Sequence, residues 1–242
     1  MIKLDILAIG VHPDDVELAC SGTLLRHIAA GKKIGLLDLT RGELGTRGSA
    51  ELRDEEAADS AKKMGALVRE NLAMADGFFE YSPENILKIA TVLRRYQPQI
   101  VLANSLHDRH PDHGRAAKLI QDACFYAGLA KIETHEADGQ LQARWRPQAV
   151  YHYVQDYYLT PDFVVDVTPF WAKKKELILA FRSQFFDPTT EQAELSTPIS
   201  GKDFLDFVDA RGRDFGRPAG FEFAEGFQVA RTLGVHDLFE LF

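Results

Sequence analysis

The sequence predicts an α/β fold: a three-layer sandwich with helices on both faces of a mainly parallel sheet. Three observations lead there. Short apolar runs alternate with helix-length amphipathic segments through the first half, and Gly or Pro marks the junctions. His, Asp and Glu also cluster directly after the apolar runs, beyond the strand ends, where sites form in open sheets of this kind.

Lys3 to Val11 is an apolar run that stops at a His-Pro turn, as a buried strand does. Glu17 to Ala30 has helical spacing and ends at Gly31, a good carboxyl-terminal cap. Lys33 to Leu39 reads as the second strand, Ala50 to Met64 as the second helix closing at Gly65, and Glu70 to Met74 as a short third strand. Glu84 to Tyr96 is helical and must end before Pro98. Ile100 to Asn104 is the fourth strand and Asp112 to Tyr126 the fourth helix. Three strand-end loops therefore converge on one edge: His12 onward, Thr40 to Gly48, and His107 to His113.

The second half is less regular. Ala149 to Val154 and Phe163 to Val167 read as strands, Pro169 to Ser183 and Lys202 to Arg211 as helices. Asp187 to Gly201, rich in Pro, Thr and Ser, reads as a loop or lid, and the aromatic tail is expected to pack back on the core. No repeat or linker divides the 242 residues, so one domain over 1–242 is expected.

Composition narrows the function. A net charge of −8 with dispersed Lys and Arg argues against nucleic acid or an anionic membrane as partner. The Lys173 to Lys175 triplet reads as the wet face of a helix. Cys20 and Cys124 sit in apolar helical patterns without Cys-x-x-Cys spacing, which fits buried thiols in a reducing cytoplasm. There is neither a signal-like apolar region at the start nor an apolar stretch of about 18 residues, so a soluble, cytoplasmic protein is expected.

Two clusters carry the chemistry. Val11-His12-Pro13-Asp14-Asp15-Val16-Glu17 places a histidine and three carboxylates at the end of a buried strand, a costly grouping unless a cation or donors offset it. His107-Asp108-Arg109-His110-Pro111-Asp112-His113 follows another apolar strand and opens a helix. One His-Pro-Asp can be a helix cap; two at the ends of two strands of one sheet read as a metal site. Two imidazoles and a carboxylate form an open zinc arrangement, and the same set accepts ferrous iron. A remaining carboxylate, Asp14, can take a proton from water. Gly-x-Gly-x-x-Gly is absent after the first strand, which argues against a nucleotide-binding module. A ferrous oxygenase and a metal-dependent sugar-binding protein remain alternatives of a different class.

The pair His12-Pro13-Asp14-Asp15-x-Glu17 and His110-Pro111-Asp112-His113 resembles the LmbE-like, or PIG-L, N-acetylglucosaminyl deacetylases. The likeness extends through Thr40-Arg41-Gly42-Glu43 and Arg53, across roughly the first half of the chain. Thr40 to Gly48 and the late Ala224-Glu225-Gly226-Phe227 bring it closest to the bacillithiol-biosynthesis deacetylases, which remove acetate from N-acetylglucosaminyl malate. The resemblance implies a Rossmann-like sheet in a single LmbE-like domain, an N-acetyl sugar as small-molecule substrate, and a homo-oligomer. It implies His12, Asp15 and His113 as Zn²⁺ ligands, Asp14 as general base and later proton donor, and His110 near the developing oxyanion with Asp112 orienting its ring. It further implies Arg53 and Glu43 at the sugar. Val16 stands where many members have Glu, which leaves Glu17 as a helix-start carboxylate favoured by the dipole. An acidic aglycone needs arginines in this acidic chain; Arg41, Arg47, Arg53 and Arg109 lie on the converging loops, and Arg109, beside His110, is the best candidate. Phe185 or Phe186 could line the sugar pocket.

Overall fold

The computed structural model describes residues 2–185 and 195–241. Its seven-stranded sheet has the order β3-β2-β1-β4-β5-β7-β6, with β1 Ile6–Gly10, β2 Ile34–Thr40, β3 Val68–Met74, β4 Ile100–Ala103, β5 Ala149–Tyr153, β6 Phe163–Asp166 and β7 Ala224–Val229. The first five neighbours in that order pair in parallel, as the alternating pattern predicts. Only part of the tail packs back, as a strand, and residues 230–239 beyond it are exposed. β7 runs antiparallel between β5 and β6, so the Ala224 to Phe227 segment lies inside the sheet.

Helices α1 Asp15–Ala29, α2 Ala50–Met64, α3 Pro83–Tyr96, α4 Pro111–Ala127, α5 Trp171–Ile178 and α6 Phe204–Gly216 cover the two faces. One apolar layer holds α3 and α4 against the sheet through Leu7, Ile9, Ile89, Leu93, Leu119 and Ile120, and the opposite layer holds α1 through Cys20, Leu24 and Leu177. β1 and β2 are buried along their whole length, as strands covered on both faces must be. Gly65 ends α2 in the left-handed conformation (φ 87°), as its position in the sequence suggests. Ahead of Pro98 it is Gln97 that takes the left-handed cap (φ 47°). Among the described residues no helix is long and apolar enough to cross a membrane.

Three sequence expectations are corrected here. Helix α5 covers only Trp171–Ile178 of the longer segment expected. Lys174, within the triplet read as a wet face, is buried: its Nζ donates to the Leu18 carbonyl and to Glu225 Oε1, both at 2.7 Å. Glu17 does more than meet a helix dipole. It is fully buried and accepts from Ser60 Oγ (2.6 Å) and Arg69 (2.7 Å), whose guanidinium also forks onto Asp38. Burial opposes that guanidinium's charge, yet Asp38 and Glu17 hold its pKa well above the usual arginine value. This buried network ties α1, α2, β2 and β3 together just behind the strand ends.

Candidate active site

The loop after β1 is folded around one carboxylate. Asp15 Oδ2 accepts the backbone N–H groups of Val11 (2.9 Å) and His12 (3.0 Å) and the Asn104 amide (3.0 Å), and Gln155 donates to Oδ1 at 2.6 Å. Two imidazoles face the same carboxylate: His113 Nε2 lies 3.3 Å from Oδ1 and His12 Nδ1 3.8 Å from Oδ2. Each imidazole is anchored through its other nitrogen. His12 Nε2 donates to Asp76 Oδ1 (2.9 Å), and His113 Nδ1 donates to Asp108 Oδ2 (2.7 Å). A carboxylate behind a histidine that points its free nitrogen inward is the arrangement that orients metal-ligating imidazoles.

The electrostatics fit a cation. Burial disfavours charge on His113, yet the Asp15 and Asp108 carboxylates hold its pKa up at about 10. Burial likewise opposes charge on His12, and Asp76 and Asp15 raise its pKa. The pocket that concentrates these carboxylates thus favours positive charge between the imidazoles. The donor set, two imidazoles and one carboxylate, fits a divalent ion such as zinc. His110 stands within ligand reach of His12 and His113 as well, and His12 also groups with Asp76 and Asp112. Asp76 already engages His12 Nε2, and the Asp112 backbone N–H is directed at His110 Nδ1 (3.3 Å), which leaves His110 Nε2 open to the cavity.

Asp14 sits beside this set, buried, with φ 133° and ψ −21°, a backbone conformation that costs a non-glycine residue roughly 1–3 kcal/mol. Burial pushes its carboxyl up to about 7, against the pull of Arg53. Arg53 donates to the Pro13 carbonyl (3.1 Å) and approaches Asp14 Oδ2 at 3.4 Å. It passes beneath Gly42, where a Cβ would meet its Nη1 at 3.0 Å and where φ is 64°. A side chain there would be strained by the backbone and would press on the guanidinium, which favours glycine at that crossing.

The expected site residues distribute as follows. His12, Asp14, Asp15, Arg53, Arg109, His110 and His113 all line one cavity of about 500 Å³. Arg53 lines it, but its hydrogen bonds hold the Pro13-Asp14 loop. Arg109 pairs with Asp156. Arg41 is engaged by Asp54 and Glu51. His110 packs edge-on against His12 (4.7 Å between centroids) and stacks on His113 (5.2 Å); burial lowers its pKa, and the two neighbouring imidazoles lower it further.

Three expectations are corrected by the side-chain positions. Asp112 meets the His110 ring through its backbone N–H and not through its carboxylate, which accepts from the Gly77 N–H (2.9 Å) and Arg115 (3.0 Å) and lies 3.8 Å from His12 Nε2. Glu43 is outside the cavity lining and ties the loops after β2 and β3 together, accepting from the backbone N–H of Asp76 (2.8 Å) and of Arg41 (3.2 Å). Phe185 is buried against Phe204 in the second-half core, away from the cavity wall, and Phe186 and residues 187–194 of the expected loop or lid lie outside the described residues.

The residues that sequence reasoning missed are Asp76, Asp108 as anchor, Asn104, Gln155 and Arg211. Four of these were findable, because Asp76, Asn104, Asp108 and Gln155 sit at or just beyond the ends of β3, β4 and β5, the rule already used for β1 and β2. The far wall of the cavity comes from the second half: Trp171, Ile199, Phe204, Phe207 and Arg211.

The chain is similar to known proteins along most of its length. The chain is 27% identical over 241 residues to diacetylchitobiose deacetylase of Thermococcus kodakarensis, covering 96% of this chain and 85% of that protein. It is 26% identical over 203 residues to 4-oxalmesaconate hydratase of Pseudomonas putida, covering 74% and 73%. The crystal structure of the conserved protein TT1542 of Thermus thermophilus superposes with a TM-score of 0.83 at 35% identity, covering 96% of this chain and 98% of that one. Residues 7–124, which carry both His-Pro-Asp clusters, match the PIG-L family model, GlcNAc-PI de-N-acetylase. The chain belongs to the PIG-L family of LmbE-like enzymes.

Proposed function

We propose that the protein is a metal-dependent N-deacetylase of N-acetylglucosaminides, with N-acetylglucosaminyl malate of bacillithiol biosynthesis as its substrate. One observation carries the hydrolytic reading: a buried, backbone-strained Asp14 faces the cavity beside two imidazoles aimed at Asp15 and anchored by Asp76 and Asp108.

His12, Asp15 and His113 are the residues that would hold zinc. A divalent ion bound there supplies Lewis acidity, polarising the amide carbonyl and acidifying a water molecule. Asp14 takes the proton from the attacking water and returns it to the departing sugar amine. His110, close to both ligand imidazoles, offers a ring N–H to the oxygen that gains charge during attack, the interaction that commonly lowers the barrier most. Its Nδ1 accepts from the Asp112 backbone, so Nε2 is the nitrogen left to donate. The Asn104 and Gln155 amides fix the Asp15 carboxylate, so its lone pairs do not reorient during the reaction. Arg53 keeps the Asp14 loop in its strained shape.

The acidic aglycone rests on fainter support: Arg109 on the cavity wall in an otherwise acidic chain. The test is product analysis by mass spectrometry after incubating the zinc-loaded protein separately with N-acetylglucosaminyl malate, methyl N-acetylglucosaminide, diacetylchitobiose and an unsaturated diacid. Release of acetate and free amine, fastest with the malate glycoside, is expected. Addition of one water to an unsaturated diacid without acetate release would replace this reading with that of the hydratase relative.

A further inference from the structure

The cations on the cavity wall are unequally satisfied. Arg53 is committed to Pro13 and Asp14, and Lys174 to Leu18 and Glu225. Arg109 and Arg211 share one carboxylate, Asp156. Arg109 Nε donates to Asp156 Oδ2, whereas Arg211 lies 3.8 Å from Oδ1 and donates to the Asp156 carbonyl at 2.6 Å. Two guanidinium groups therefore meet at the Asp156 carboxylate in the same cavity as Asp14, the nearby Asp108 being already engaged by His113 and the backbone N–H groups at 156 and 157. Arg211 comes from α6, and its guanidinium lies 4.6 Å over the Phe207 ring, which leaves the edge of the planar fork to make hydrogen bonds. Its side chain is about four-fifths buried, and burial lowers its pKa with only partial compensation from Asp156 and Asp108.

We infer that Arg211 and Arg109, bracketing Asp156, form an anion subsite that receives a carboxylate of the group attached to the N-acetylated sugar. This rests on the N-acetylglucosaminide reading above and adds a residue and a competition to it. Asp156 holds both guanidinium groups when the subsite is empty, and an incoming carboxylate takes over the free edge of Arg211 in a two-pronged contact. The loop that carries Asp156 also carries Gln155, which binds Asp15, and its backbone N–H groups at 156 and 157 hold Asp108. Anion binding is thereby seated on the loop that supports both ligand carboxylate and ligand histidine.

The experiment pairs turnover with direct binding in zinc-loaded protein. The kcat/KM ratio of N-acetylglucosaminyl malate to methyl N-acetylglucosaminide is measured alongside L-malate affinity by calorimetry, for the native chain, Arg211→Gln, Arg211→Lys and Asp156→Asn. Arg211→Gln is expected to lower the ratio at least tenfold through KM of the acidic substrate, and to weaken L-malate at least tenfold. Arg211→Lys should fall between, since it keeps charge but not the fork, and it decides the matter if the Gln variant does not fold. Asp156→Asn should tighten L-malate, because it removes the competing carboxylate. A ratio and an L-malate affinity unchanged in Arg211→Gln or Arg211→Lys would overturn the subsite, as would equal loss on both glycosides. If the native chain deacetylates neither glycoside, the deacetylase reading fails, and the L-malate arm still decides the subsite.

Discussion

His12-Pro13-Asp14-Asp15 and His110-Pro111-Asp112-His113 are nearly the same four residues at the ends of neighbouring strands, yet they do different work. The cause is where the helix begins. In the second cluster Pro111 starts α4, His110 is its N-cap, and Asp112 lies within the first helical turn. In the first cluster α1 starts two positions later in the motif, at Asp15, and Asp14 is left outside as an N-cap with φ 133°. The fourth residue of each cluster, Asp15 and His113, enters the first turn and meets the other across 3.3 Å. The third residue becomes a strained carboxylate facing the cavity in one case and a buried anchor for Gly77 and Arg115 in the other. A motif therefore specifies chemistry only together with the phase of the helix it opens.

The first residues separate most sharply under truncation. His12→Ala should lose bound zinc and drop turnover below detection, measured by metal analysis and acetate release. His110→Ala should keep the metal and lose turnover by about 10²–10³-fold, the usual effect of removing one oxyanion donor. Loss of metal from the His110 variant would move the ligand set towards the three imidazoles and away from Asp15.

At the third position the contrast is catalytic. Asp14→Asn should retain zinc and lose kcat by about 10²–10⁴-fold, as expected for a general base. Asp112→Asn should cost kcat about tenfold, because its carboxylate acts at a distance through His12 and the Gly77 loop. Equal losses at the two positions would show that helix phase does not divide their roles.

One step further out, the two anchors should behave alike despite the asymmetry inside. Asp108→Asn and Asp76→Asn should each weaken zinc by about 10–100-fold with a smaller effect on kcat at saturating metal, read by competition with a chelator. A change in one only would mean that one imidazole carries the site.

Much of this was legible from residue order. The strand–helix alternation located β1 to β5, and the rule that sites lie beyond strand ends brought His12, Asp14, Asp15, His110 and His113 to one cavity. What escaped depends on distance along the chain. Asp76 meets His12 across 64 positions and Gln155 meets Asp15 across 140, and no local periodicity encodes either pairing. β7 escaped for the same reason: nothing in Ala224 to Val229 says that it enters the sheet between β5 and β6. Asp112 was misplaced because Pro111 fixes the helix start, so the carboxylate turns away from the ring two residues before it.

The smallest expected effect has opposite signs in the two clusters and therefore tests the phase argument most directly. Asp14 holds a backbone shape open to glycine, and among the described residues its side chain makes only the 3.4 Å contact to Arg53. Asp14→Gly should relieve roughly 1–3 kcal/mol of strain and lose part of that to the greater freedom of glycine in the unfolded chain, for a net gain of about 1 kcal/mol. Asp112 is helical and accepts from Gly77 and Arg115, so Asp112→Gly should cost helix propensity and leave a buried N–H unmet, destabilising by about 2 kcal/mol. Thermal melts of the metal-free proteins read both. A stabilised, inactive Asp14→Gly would mark the strain as something the fold carries for the reaction, whereas a destabilised one would mean that the Asp14–Arg53 contact holds the loop.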